Sequence, residues 1–186
     1  SNSDAHSLPK IGREYNVMRL ESASFDEVIK ALARRDGRQV VANYGLDPKL
    51  GKYHRTYCPK CDRTFNYETP PVVQCPECDS TSVVKGALDR IREIQDYPVP
   101  RHPEHRPPYL YQIPLEFVPG VGPRSIDKLI ERFGSEMAVL HKAKEGELAE
   151  VVGEKAAGLI IQARNGTLPL VAGGGGHYGK AVIENG

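Results

Sequence analysis

Cys58-Pro59-Lys60-Cys61 and Cys75-Pro76-Glu77-Cys78 together hold every cysteine of a 186-residue chain. Two close pairs of soft donors with no spare thiol match what a tetrahedral zinc ion takes. Four thiolates leave no open coordination position, so such a site is structural and not catalytic. Paired CxxC motifs without other cysteines suit zinc in a reducing cytoplasm better than a disulfide framework. The ion would replace a core too small to hold itself, which predicts a zinc ribbon over residues 51–90. Thr64-Phe65-Asn66-Tyr67 and Ser82-Val83-Val84 are strand candidates after each knuckle, and Ala87 to Ile94 reads as a short helix. His54 is the substitute ligand within reach. Lys52, Arg55, Lys60 and Arg63 surround the first knuckle, with Tyr53, Tyr57 and Phe65 interleaved. That pattern suits either a solvated face or contact with phosphates.

Before the ribbon, residues 15–21 suit a strand. Ser24-x-x-Glu27 is a capping box, followed by Phe25, Val28, Ile29 and Leu32 at helical spacing. That helix is expected to end near Asp36-Gly37, and Val40-Val41-Ala42 suits another strand. Residues 1–50 therefore predict a β-α-β unit. Asp4-x-His6 offers an oxygen and an imidazole two residues apart. Such a pair can serve a metal, but two ligands do not make a site.

After the ribbon, residues 91–112 form a connector, Pro-, His- and Arg-rich over 97–109, where the prolines exclude helix and central strand. Residues 113–170 predict a helical domain. Ile126, Leu129, Ile130 and Phe133 share one face, with Gly134 as C-cap. Leu148, Val151 and Val152 mark another helix, and Ala157, Ile160 and Ile161 the next, closed by Gly166. Pro119-Gly120-Val121-Gly122-Pro123 precedes the first of these helices. Its two glycines let the backbone approach a phosphate, and its N–H groups with the helix N-terminus make an anion site. This is the physics of a helix-hairpin-helix motif. Val151-Val152-Gly153-Glu154-Lys155 is a second, weaker hairpin. The candidate phosphate contacts are Gly120, Val121, Gly122, Arg124, Ser125, Lys128, Gly153 and Lys155.

Residues 171–186 form a Gly-rich tail, expected to be mobile in part. Within it, Gly174 to Lys180 fits the first half of a Walker A loop, but Ala181 stands where Ser or Thr must hold Mg²⁺. Nucleotide binding is not expected. The net charge of +1 offers no global basic field, so a polyanion must be met by local patches. The 18 glycines and 15 prolines argue for small units joined by loops. No run of about 18 apolar residues exists, so no membrane span is expected, and no secretory signal is apparent. A cytoplasmic location follows as an expectation.

The order of parts is what identifies a family. Ser3-Asp4-Ala5-His6-Ser7 resembles the last metal motif of the PHP phosphoesterase fold, and a zinc ribbon and helix-hairpin-helix hairpins follow it. With Gly51-Lys52-Tyr53-His54 and Arg106-Pro107-Pro108-Tyr109, this resembles the C-terminal half of the endonuclease Q family. The resemblance implies an α+β, multi-part fold: a C-terminal remnant of a PHP α/β domain, a four-cysteine ribbon and an all-α helix-hairpin-helix domain. It implies a DNA-repair endonuclease cleaving beside deaminated bases (uracil, hypoxanthine) or at abasic sites. Asp4 and His6 would match the last ligands of a catalytic Zn, Mn or Mg cluster. The partner would be double-stranded DNA, gripped by its backbone phosphates. Most catalytic ligands would precede Ser1, so this chain alone is expected not to cleave DNA. The alternatives are a non-catalytic DNA-binding module and a PHP phosphoesterase acting on small phosphoesters.

Overall fold

The computed structural model describes residues 5–183. Its first unit is a three-stranded sheet with one covering helix. Strand β1 (Tyr15–Arg19) pairs antiparallel with β2 (Gln39–Leu46), and helix α1 (Phe25–Ala33) connects them. Ser24 caps α1, its Oγ accepting the Glu27 amide at 3.3 Å. The reciprocal half of the capping box is redirected. Glu27 is buried, and its carboxylate accepts from the Glu21 amide, Lys30 and Arg38 instead. The helix ends at Ala33, earlier than Asp36-Gly37, because Arg34 already turns left-handed at φ 54° and donates its N–H to Ala31.

The third strand, β5 (Tyr109–Gln112), runs parallel to β2 in the order β1-β2-β5. It arises from the end of the Pro-rich connector. An edge position tolerates the flanking prolines, and Pro108 still accepts the Asn43 N–H at 2.9 Å. Gln112 is buried. Its Nε2 donates to the Arg13 carbonyl, and its Oε1 meets His141 Nε2 at 2.6 Å. The sheet is thereby tied to the helical unit.

The cysteine module carries a two-stranded ribbon, β3 (Tyr57–Cys58) with β4 (Arg63–Thr64), and Val84 bridges to Tyr57. Helix α2 (Ala87–Ile94) falls where the sequence predicts it. Phe65 and Val72, with Cys58 and Cys75, form its small core.

Four helices form the last unit: α3 (Pro123–Phe133), α4 (Glu136–His141), α5 (Glu145–Val152) and α6 (Glu154–Asn165). Gly134 and Gly166 end α3 and α6 in left-handed geometry, at φ 85° and 69°. Leu129, Val139, Leu148 and Ile160 are fully buried between them. Arg164 donates to the carbonyls of Leu140, Val139 and Ala143, closing the exposed end of α4.

The expected tail instead packs as part of the body. Strands β6 (Leu170–Val171) and β7 (Lys180–Ala181) pair antiparallel, and the glycine run between them is inserted against the cysteine module. Arg55 donates its N–H to the Gly173 carbonyl, Gly173 donates to Lys49 and Gly176 to Lys52. Side chains there would collide with backbone: a Cβ on Gly173 or Gly179 would overlap neighbouring carbonyls. Glycine is needed for close approach, not for mobility.

Candidate metal centre and nucleic-acid interface

Cys58, Cys61, Cys75 and Cys78 converge, with all four sulfurs within 4.8 Å of one another. Cys58 to Cys78 and Cys61 to Cys75 both measure 3.8 Å. A tetrahedron of ~2.3 Å zinc–sulfur bonds has edges of about 3.8 Å, so the donors fit that ion. The knuckles are built alike. Asp62 and Asp79, each just after the second cysteine of its pair, turn left-handed at φ 52° and 56°. Burial works to raise the Cys75 thiol, but the amides of Glu77 and Cys78 outweigh it and hold it at about 7. Backbone donors at the sulfur favour the thiolate that ligation needs, against the opposing effect of burial. His54 lies outside the cluster and packs near Leu88 and Ala172. Burial, then the neighbouring Arg55, lowers its pKa.

The positive ring around the first knuckle is partly neutralised. Arg55 is buried and paired with Asp89 at 3.2 Å, while Arg63 engages Glu68 at 2.7 Å and also Glu77. Phe65 lies in the core and is not available as an interleaved aromatic. Lys52, Tyr53 and Lys60 remain exposed.

The Arg55–Asp89 anchor was not read from the sequence. Asp89 is fully buried on α2 and also accepts the amides of Thr56 at 3.0 Å and Val72 at 2.8 Å. Burial pushes its carboxyl upward, but those two amides and Arg55 overcome this and hold it below its ordinary value. Arg55 spends its remaining donors on the carbonyls of Asn66 and Glu68. A lone Asp on an amphipathic helix carries no signal of this role.

The glycine loop sits at the surface of the helical unit. Gly120 (φ 82°) and Gly122 are exposed, with open space where a Cβ would stand. Val121 is buried beneath them and donates its N–H to Val118, which pins the turn. Among the described residues, no backbone acceptor takes the amides of Gly120, Gly122 or Arg124. Arg124 and Lys128 are exposed on the first turns of α3, and Ser125 is half-buried. Gly153 (φ 83°), joining α5 to α6, is also exposed beside Lys155. Its N–H is spent on Ala149. The second loop therefore offers fewer donors than the first.

Asp4 lies outside the described residues. His6 is exposed and lines a cavity of about 510 Å³ with Lys10, Arg13, Glu116, Phe117 and Tyr178. Arg13 braces this cavity, pairing with Glu116 at 2.7 Å and Glu136 at 3.0 Å. Among the described residues His6 joins no three-donor cluster; the four cysteines are the one such group. The Walker-like run ends in strand β7, not in a helix, and three of its glycines are closely packed, Gly174 against Arg55 and Thr64, Gly175 against the Tyr57 ring and Gly179 against backbone.

The PHP-associated family profile matches residues 1–36. The protein YqxK of Bacillus subtilis (strain 168) is 54% identical over 181 residues, covering 97% of this chain and 45% of the relative. The protein MJ0043 of Methanocaldococcus jannaschii is 38% identical over 203 residues, covering 99% of this chain and 25% of its own. The chain thus spans less than half of each curated relative. The lesion-specific endonuclease PfuEndoQ of Pyrococcus furiosus has a similar fold (TM-score 0.74, 34% identity), covering 95% of this chain and 46% of that one. Endonuclease Q bound to a 27-mer duplex with an abasic lesion at its active site matches at TM-score 0.75 and 35% identity, over 100% of this chain and 49% of that one. No helix among the described residues is long and apolar enough to cross a membrane.

Proposed function

Because the chain belongs to the endonuclease Q family, we propose that it is the DNA-gripping part of a repair endonuclease that cuts beside deaminated bases or at abasic sites. One observation carries the reading: a fold match over the whole chain to an endonuclease Q holding a damaged duplex.

The parts take roles on that premise. The cysteine module is a zinc ribbon, with Cys58, Cys61, Cys75 and Cys78 as closed structural ligands that set the geometry of the central unit. Helices α3 to α6 form a helix-hairpin-helix domain. Its first loop presents the amides of Gly120, Gly122 and Arg124 to one phosphate group, with the start of α3 adding its dipole. Arg124 and Lys128 supply charge, and Gly153 with Lys155 touches a second phosphate more weakly. Such contacts position a duplex without reading its bases. Lesion choice must then come from elsewhere in the protein.

Asp4 and His6 would add an oxygen and an imidazole to a divalent catalytic centre, which in such enzymes lowers the pKa of water and neutralises the leaving oxygen. Their donor types suit Zn, Mn or Mg unequally, imidazole favouring the transition ions.

An incision assay tests the reading. Duplexes carrying uracil, hypoxanthine or an abasic analogue are offered to the chain alone and to the chain joined to the portion of its relatives that it does not span. Cleavage beside lesions by the joined form is the expected result. Binding that ignores lesions, with no incision by either form, would remove the repair reading.

A further inference from the structure

Helix α4 holds Arg13 from both of its ends. At its first residue, Glu136 Oε2 accepts the Nε–H of Arg13 at 3.0 Å. At its last residue, His141 Nε2 meets the Oε1 of Gln112 at 2.6 Å, and the Nε2 of that Gln112 donates to the Arg13 carbonyl. A third tie comes from the 3-10 turn Leu115–Phe117, where Glu116 accepts from Arg13 Nη1 at 2.7 Å. Arg13 and Glu136 each keep only 12% of their side-chain surface in water. A planar guanidinium shared between two carboxylates fixes direction as well as distance.

Arg13 is joined to His6 by a run of tight turns. Arg13 donates its N–H to Lys10, Ile11 donates to Leu8, and Lys10 donates to Ser7 at 3.1 Å. Ser7 directly follows His6. The same supports also carry the glycine loop. Glu136 Oε1 accepts the Leu115 N–H at 2.8 Å, and Leu115 is fully buried. The loop follows that turn at once and is pinned to it by the Val121 amide on Val118. One carboxylate therefore holds the segment of the candidate metal ligand with one oxygen and the root of the candidate phosphate loop with the other. Apolar packing would hold two units together without the desolvation cost of a half-dry ion pair. What the pair adds is a fixed geometry between them.

Resting on the repair reading above, we propose that Arg13 and Glu136 are positioning residues that register the His6 segment against the glycine loop. A phosphate seated on the loop then lies at a set distance and angle from the catalytic centre. The loop alone would grip any duplex without placing a particular bond. Bond cleavage is less forgiving, since misplacement by about 1 Å can cost about a hundred-fold in rate.

The test compares two forms. In the 186-residue chain, hydrogen exchange is followed with and without a duplex carrying an abasic analogue. The duplex is expected to slow exchange of the unaltered chain both at residues 120–125 and at residues 7–13. In Arg13→Gln it is expected to slow residues 120–125 only, with affinity within about twofold and full binding stoichiometry. In the chain joined to the portion of its relatives that it does not span, Arg13→Gln and Glu136→Gln are expected to lower single-turnover incision about ten- to a hundred-fold at saturating duplex. Glu136→Gln still offers an oxygen to the Leu115 amide, so the turn itself is kept. Arg13→Lys keeps the charge without the fork, and its rate is expected to fall in between. A merely structural role would lower affinity or stoichiometry in step with the rate, and that outcome overturns the proposal. So does slowed exchange at residues 7–13 in Arg13→Gln. If the unaltered joined form leaves lesion-bearing duplexes intact, the repair reading fails and the proposal falls with it. If that form cuts and the variants cut equally well, only the proposal fails.

Discussion

Asp89, on α2, accepts the Nε–H of Arg55 at 3.2 Å, with both side chains almost wholly removed from water. This pair fastens the cysteine module to the helix that follows it, and the same carboxylate satisfies the buried amides of Thr56 and Val72. Removing one member strands the rest. Asp89→Ala should cost about 3–5 kcal/mol, the range for breaking a buried pair. Urea unfolding measures it; a cost under about 1 kcal/mol would show that the anchor is not structural. The carboxyl is depressed in the folded state. Its contribution is thus present above the unfolded value and lost as pH falls below that value through the folded one.

The cysteine geometry predicts one tightly held zinc ion per chain. Cys58→Ser or Cys75→Ser removes a fully buried donor, and the small core of Phe65 and Val72 has little else to hold it. Each variant should lose the ion and expose amides across residues 55–85 to hydrogen exchange, while α3 to α6 stay protected. Zinc analysis with exchange mass spectrometry checks this. Full zinc content in both variants would contradict the assignment.

The two loop glycines separate binding from folding. Gly122 has ordinary backbone geometry, φ −88°, and open space around it, so Gly122→Val should fold normally and simply obstruct a phosphate. A five- to ten-fold weaker affinity for duplex is the rough expectation, about 1 kcal/mol. Gly120 is a poorer probe, since φ 82° adds strain of about 1–3 kcal/mol to any side chain. Arg124→Ala should lower the salt slope of binding by about one phosphate contact. Titrations at several salt concentrations decide the matter: unchanged affinity in Gly122→Val with unchanged slope in Arg124→Ala removes the loop from the interface.

Burial, then Arg164, lowers the pKa of His141 below its ordinary value, while its Nε2 stays bonded to Gln112. Below about pH 6.5 the unfolded chain takes up a proton that the folded imidazole resists, so stability falls as pH falls through that region. His141→Gln removes this term. Its unfolding free energy should change less between pH 7.5 and 5.5 than that of the unaltered chain, by at most about 1.4 kcal/mol per pH unit. Parallel pH profiles would show that His141 does not resist protonation.

Features set by local rules were legible in the sequence. Spacing fixed the sulfur cluster, Ser24 marked the start of α1, and Gly134 and Gly166 marked helix ends. Features that depend on distant partners were not. Nothing near Tyr109–Gln112 announces that β2 waits for it more than sixty residues earlier in the chain, and prolines upstream argue against a strand. The glycine run was misread because flexibility and close packing call for the same residue. Asp89, Arg13 and Glu136 are individually ordinary, and only the folded chain brings each to its neighbours.

The glycine run offers a test of close packing against flexibility. A Cβ on Gly175 would overlap the Tyr57 ring, and Gly175 also has φ 61°. Gly176 has φ 94°, yet its nearest neighbour is the Tyr53 hydroxyl at 3.7 Å, an ordinary contact. Gly176→Ala should therefore cost only backbone strain, about 1–3 kcal/mol. Gly175→Ala should cost a further 1–3 kcal/mol or so, because Tyr57 is held by its bond to Asp62 and by pairing with Thr64 and must be displaced. Urea unfolding of the pair reads the overlap, since Gly176, at φ 94°, lies farther from the left-handed region open to side chains than Gly175 does, so a larger loss at Gly175 is not due to φ. A mobile tail would tolerate the two changes equally, and equal midpoints would mean that the glycine run does not pack on the cysteine module in solution.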